Sequence, residues 1–197
     1  MHINAGIKVL GKQVILVPYE AHHVNKYHRW MEDAELRQQT ASDRLTLEQE
    51  YEMQRSWRED DDKCTFIILS RALIDEGYDE LSSMIGDVNL FLYETVAELE
   101  IMIAEREWRG RGIATECTRL MMRYAFEHLH VERFEFSTFE MAELSGDYLT
   151  HCLIKFFERL VRRISFILLN CQMSFRLSRQ ELLRDVERVD VAVLSHC

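Results

Sequence analysis

A chain of 197 residues, 47% apolar and 29% charged, is long enough for one domain with a full hydrophobic core and cramped for two. Its 34 acidic and 24 basic side chains give a formal charge of −10, which argues against generic binding to nucleic acid or an anionic membrane and suits a positively charged substrate. Five cysteines, Cys64, Cys117, Cys152, Cys171 and Cys197, are odd in number and lack CxxC spacing, so the expectation is reduced thiols in a cytoplasmic protein rather than a zinc site or a disulfide framework.

No linker, repeat or low-complexity tract divides the chain, so residues 1–197 are expected to form a single domain. The N-terminal stretch lacks a signal-peptide pattern, and no run of 18 apolar residues occurs. "QVILVPY" reads as a first strand, with Pro18 confined to its end or to a sheet edge because proline has no N–H to give. Val24, Tyr27, Trp30 and Met31 then recur at helical spacing. Thr46 and Gln49, three apart, predict a capping box that opens a second helix ending near Trp57. Asp60, Asp61 and Asp62 read as a solvated turn, since three consecutive carboxylates do not converge on one ion.

"CTFIILS" and "MIGDVNLFLY" supply two β-rich runs joined by a longer polar loop, and a further strand covers Leu99 to Ile103. Ile113, Cys117, Leu120, Met121 and Tyr124 share one face of a helix reaching about His128. "RFEFSTF" is a short strand candidate, followed by a helix over Leu149 to Leu160 and a strand in "RISFILL". Ser178 with Glu181 predicts a capping box for a C-terminal helix. Trp30, Trp57, Phe66, Phe91, Phe126 and Phe134 fall at apolar positions and are expected in the core.

The stretch "EWRGRGIATE" stands out in a chain with seven glycines and one proline. A strand that ends in a glycine turn and opens a helix points several backbone N–H groups at one spot, where the helix dipole adds positive potential. Gly110 and Gly112 let the main chain approach an anion closely. No Gly-Lys-Ser/Thr follows, which excludes a Walker loop, and Ala114 with no later acidic partner excludes the dinucleotide fingerprint.

Arg109, Gly110, Arg111, Gly112, Ile113 and Ala114 fit the pattern Arg/Gln-x-x-Gly-x-Gly/Ala, which resembles the pyrophosphate loop of the GCN5-related N-acetyltransferases. From about Leu10 to Glu135, including "MIGDVNLFL" and "LEIMIAE", the chain is similar to the N-acetyltransferase 9 branch of that family, described as an α/β-tubulin N-acetyltransferase. The resemblance implies an α/β fold with a mixed, mostly antiparallel sheet, splayed after its fourth strand, and helices on both faces. It implies acetyl-CoA as cofactor, held by Arg109 to Ala114 and by main-chain groups of Ile103 and Ala104, and a protein N-terminus, tubulin in that branch, as acceptor. After Glu135 the likeness decays: Thr150 stands where the family has Asn, Phe157 where a Tyr acid is frequent, and Val161-Arg162 where Gly-Phe is usual. A second reading therefore remains, a catalytically impaired interaction module of the same fold.

Acetyl transfer from a thioester requires a deprotonated amine, and an α-amine, with a pKa of about 7.7–8.0, is easier to deprotonate than lysine at about 10.4. Glu98 and Glu100 alternate on one face of the strand leading to the cradle, and Glu100 is the preferred base; a solvated face or a salt bridge is the plainer alternative. Arg111 pairs with phosphate or is simply exposed, and Lys155, Arg159, Arg162 and Arg163 form either a 3′-phosphate contact or a solvated helix face. No metal is expected: His22 and His23 are adjacent, so their rings should diverge, and no HExxH pairing occurs.

Overall fold

The computed structural model describes residues 3–135, 177–178 and 192–195. Strands β1 (Ile7–Leu10) and β2 (Val14–Pro18) form a hairpin, and Pro18 closes β2, where it interrupts the ladder least. A short 3-10 turn (Ala21–His23) leads into α1 (Val24–Met31), α2 (Ala34–Gln39) and α3 (Leu47–Glu59). The capping box of α3 is present: the Gln49 N–H donates to Thr46 Oγ1 at 3.3 Å and the Thr46 N–H to Gln49 Oε1 at 2.9 Å. Such a cap stabilises a helix by about 1 kcal/mol. Helix α3 runs two residues beyond Trp57, and the Asp60 carboxylate beyond it accepts the Asp62 N–H at 2.9 Å, as befits a turn.

Strand β3 (Lys63–Ser70) is followed by the short helices α4 (Arg71–Asp75) and α5 (Glu80–Ser83), then by β4 (Met84–Tyr93) and β5 (Val96–Ile103). Another 3-10 turn (Arg106–Trp108) precedes α6 (Ile113–His128), and the short strands β6 (Arg133–Glu135), β7 (Leu177–Ser178) and β8 (Ala192–Ser195) complete the described elements. Ser178 pairs with Arg133 in β7, and the C-terminal helix expected after it lies outside the described residues. The expected helix over Leu149 to Leu160 and the strand in "RISFILL" lie outside the described residues.

The strands form one sheet in the order β7-β6-β5-β4-β3-β2-β1-β8, antiparallel throughout except between β5 and β6. Alternation along β3 sends Cys64, Phe66 and Ile68 to one face and Ile67 and Leu69 to the other. On the first face α6 lays down Cys117, Leu120, Met121 and Tyr124, all fully buried. Burial of each large apolar side chain contributes roughly 1.5–3 kcal/mol, so this one helix face anchors the sheet. On the second face Val24, Tyr27 and Trp30 of α1 cover Val17, Ile67 and Met102. Phe66, Phe126 and Phe134 are in the core as expected, whereas Trp57 and Phe91 are only half buried and flank the Lys63 ammonium at 4.9 and 5.5 Å from their ring centroids.

Gly86 in β4 is required by a close approach: a Cβ there would stand 2.0 Å from the Met102 carbonyl oxygen of β5.

Candidate active site

Strand β5 has two different edges along its length. On one side it pairs with β4 through Val96 to Ile103; on the other, β6 pairs in parallel only with Val96, Ala97 and Glu98. Beyond Glu98, that second edge faces no strand among the described residues. The Ala104 N–H donates to the Ile85 carbonyl at 2.9 Å, so alternation turns the main-chain groups of Ile101 and Ile103 away from β4, toward the other edge of the strand.

Directly after this edge the chain forms the glycine turn. Gly110 and Gly112 have φ of 72° and 81°, left-handed values that side-chain-bearing residues adopt at a cost, and a Cβ on either would meet no atom within 4 Å. Gly112 is the N-cap of α6 and has no side chain to satisfy the first helical amides. The first intrahelical bond is made by the Glu116 N–H to the Gly112 carbonyl at 3.1 Å. The N–H groups of Gly110 through Thr115 therefore have no protein acceptor among the described residues, and they sit where the dipole of a sixteen-residue helix is positive. Glu116, the carboxylate that would spoil this potential, is turned aside: its two oxygens accept the Gln13 N–H and Gln13 Nε2, both at 2.9 Å, holding the β1–β2 turn.

Glu98 and Glu100 share a face with Met102, under α1 and α3, while Leu99 and Ile103 pack toward α6. Glu100 keeps contact with solvent, yet crowding by surrounding protein raises its carboxyl pKa, helped by the Glu98 charge and opposed by Lys63. An exposed but crowded carboxylate is the signature of a cleft wall. Across the ladder Glu100 faces Asn89, and next to that pair Asp87 faces Met102.

A strand that leads at once into an array of open main-chain amides at a helix N-terminus offers an anionic ligand several N–H donors and a positive dipole. The sequence profile of the "Acetyltransferase (GNAT) domain" matches residues 13–151, which spans all these features. The chain belongs to the GNAT acetyltransferase family. Its relatives include Alpha/beta-tubulin-N-acetyltransferase 9 of Drosophila melanogaster, 52% identical over 143 residues that cover 68% of this chain and 72% of the relative. The human protein of the same name is 49% identical over 142 residues, covering 68% and 69%. In fold, this GNAT chain is similar to the spermidine N-acetyltransferase of Vibrio cholerae solved with CoA and spermine, with a TM-score of 0.63 at 15% identity over 87% of this chain and 98% of that one. An aminoglycoside acetyltransferase solved with coenzyme A gives 0.64 at 14% identity, over 87% and 98%. The protein is thus an N-acetyltransferase by family.

Within this GNAT site Arg109 and Ala104 make contacts that the sequence did not suggest. Arg109 does not point at the cradle: its Nε donates to the Ile103 carbonyl at 2.8 Å and its Nη2 to the Ala104 carbonyl at 3.2 Å, because these strand-end carbonyls lack sheet partners and a guanidinium satisfies both. Ala104 has its N–H engaged with Ile85, whereas the Ile103 N–H lies on the edge away from β4 and has no acceptor among the described residues. Arg111 is exposed at the cradle, with its guanidinium 5.1 Å from the centre of the Trp108 ring. Ile113 is buried and Ala114 half buried, so these two contribute main chain, not side chain, to the surface of the turn. Thr150, Phe157, Lys155, Arg159, Arg162 and Arg163 lie outside the described residues.

The histidine expectation is also corrected. The rings of His22 and His23 do not diverge; their centroids are 3.8 Å apart, and both Nε2 atoms reach Glu80 Oε1, at 2.9 and 3.0 Å. Their shared acceptor, Glu80, draws the two rings to one side of the turn. His23 Nδ1 accepts the Glu20 N–H at 3.0 Å, so its proton resides on Nε2 and is donated to Glu80. A metal on that Nε2 would force a proton onto Nδ1, against the Glu20 N–H, so the trio is built as a hydrogen-bonded clasp.

Sequence reasoning missed Asp87, Asn89, Tyr19 and Glu50, all of them buried on the face that carries Glu100. The signal was in "GDVN": two polar residues at alternate positions of an otherwise apolar strand share one face.

Proposed function

We propose that this chain transfers the acetyl group of acetyl-CoA to the N-terminal amine of a protein, with tubulin as the acceptor indicated by the names of its relatives. The observation that carries the reading is the array of N–H groups from Gly110 to Thr115, open toward solvent just past the end of β5. Those amides and the helix dipole suit the coenzyme pyrophosphate, with Arg111 available beside it. The bound coenzyme supplies an activated acyl carbon. On this reading the Ile103 N–H, on the edge of β5 away from β4, donates to the acyl oxygen, the kind of fixed donor that stabilises developing negative charge. Glu100, with its raised pKa, takes the proton that frees the acceptor nitrogen. The net negative surface suits an ammonium-bearing substrate, and the five CxxC-free cysteines suit the cytoplasm.

The test is an incubation with acetyl-CoA and either an N-terminal tubulin peptide or spermine, read by mass. Acetylation of the peptide α-amine, with spermine untouched, is the expected result. Transfer to spermine alone would refute the acceptor assignment.

A further inference from the structure

Away from the cradle, polar side-chain atoms without partners concentrate on one face of the sheet. Asp87 is 2% exposed, Asn89 7% and Tyr19 3%. Asn89 Nδ2 donates to Asp87 Oδ2 at 2.8 Å, but Asp87 Oδ1, Asn89 Oδ1 and the Tyr19 hydroxyl have no hydrogen bond among the described residues. Buried polar atoms are nearly always satisfied, so three on one face of the sheet, two on β4 and one just past β2, mark a place built to hold something polar. The register puts them together: Asn89 lies opposite Glu100 on β5 and opposite Thr65 on β3, and the Tyr19 N–H bonds the Thr65 carbonyl. Glu100 is the member of this group that reaches solvent.

We propose that Asp87 is a positioning carboxylate for proton removal: through an ordered water held by Asn89 and Tyr19, it shares with Glu100 the proton taken from the acceptor amine. This rests on the reading of the chain as an amine acetyltransferase. An N–H bond of the acceptor ammonium breaks, its electron pair stays on nitrogen, and an O–H bond forms on Glu100. The proton then passes by the water to Asp87, and Glu100 returns to its carboxylate form. Overall, an ammonium and the Asp87 carboxylate become a neutral amine and a neutral acid, and the proton later leaves to solvent by the same route.

The surroundings suit the exchange. Burial lifts the Asp87 carboxyl to about 7, the Asn89 bond pulls it down and the Glu100 charge pushes it up. That lies within about a unit of an α-amine, where proton sharing is nearly balanced. Asn89 and Glu100 act on Asp87 directly, and its charge acts on Tyr19 and on Tyr27 of α1; Glu98 and Lys63 lie farther along the same face, opposite Phe91, and Glu50 of α3, beside His28, acts on both tyrosines. Burial raises the Tyr19 and Tyr27 hydroxyls and Asp87 raises them further, so both stay protonated and Asp87 is the group that titrates near neutrality. Burial also raises Glu50, with His28 opposing.

Two variants test the proposal by the direction in which the acid limb of the kcat profile moves. Asp87→Asn keeps the shape and removes the proton acceptor; kcat at neutral pH should fall at least about tenfold and the limb should move to lower pH. Asn89→Ala removes the bond that stabilises the Asp87 carboxylate, so its limb should move to higher pH. A group that merely holds the fold would not shift the limb in opposite directions. An infrared pH titration of the carboxyl band, wild type minus Asp87→Asn, should show one carboxyl near 7 independently of turnover. Transfer by both variants with unchanged profiles, or no such carboxyl, overturns the role of Asp87 alone. Absence of transfer by the wild-type chain overturns the transferase reading and this proposal with it.

Discussion

Arg109 and Ile103 are joined by a 2.8 Å hydrogen bond from the guanidinium Nε to the main-chain carbonyl, and the same side chain reaches the next carbonyl, Ala104, at 3.2 Å. This fork ties the end of β5 to the turn that begins the cradle, so the spacing between the strand end and the amide array is set by Arg109. Charged hydrogen bonds of this kind each contribute about 1.5–3 kcal/mol. Arg109→Ala should therefore lower unfolding free energy by about 2 kcal/mol in urea without any ligand. Were the side chain a phosphate contact instead, the ligand-free chain would be as stable as wild type.

Gly112→Ala should weaken coenzyme A binding by about tenfold while costing about 1 kcal/mol of stability, since only glycine takes a φ of 81° freely. The added Cβ meets nothing within 4 Å, so the damage comes from backbone conformation at the N-cap of α6, not from a clash. Calorimetry with coenzyme A measures the first effect and urea unfolding the second.

Gly86→Ala should be far worse. The Cβ would meet the Met102 carbonyl of the neighbouring strand, which cannot move without parting β4 from β5. A loss of about 3 kcal/mol or more is expected in the same unfolding measurement.

Burial of His23 makes stability depend on acid. Burial, with His22 adding, lowers the folded His23 pKa to about 4 from 6.5, although Glu80 works the other way. The unfolded chain therefore binds the proton first: stability is full above about 6.5 and declines as pH falls toward about 4, by up to about 3 kcal/mol. Glu80, itself held below its usual range, loses its contribution in the same direction at lower pH. His23→Gln should flatten the dependence of the urea midpoint between these values; an unchanged slope would place the acid sensitivity elsewhere.

Local pattern made much of this architecture legible in the sequence. The Thr46–Gln49 cap, the alternation of Glu98 and Glu100 against Leu99 and Ile103, and the apolar stripe of α6 are short-range signals, and the structure shows each of them. What stayed hidden depends on partners far along the chain. Arg109 looked like an anion ligand because sequence does not show two strand-end carbonyls waiting for a donor. Asp87 and Asn89 were read as ordinary strand residues, since their isolation from water comes from α1 and α3, some 30 to 60 positions away.

The central claim, that the amides from Gly110 to Thr115 grip the coenzyme diphosphate, is tested most directly by an amide NMR titration with coenzyme A. The account expects the resonances of Gly110, Gly112 and Thr115 to move downfield together, with those of α4 unchanged. Binding that leaves the cradle amides where they were, or no binding by the folded chain, would contradict it.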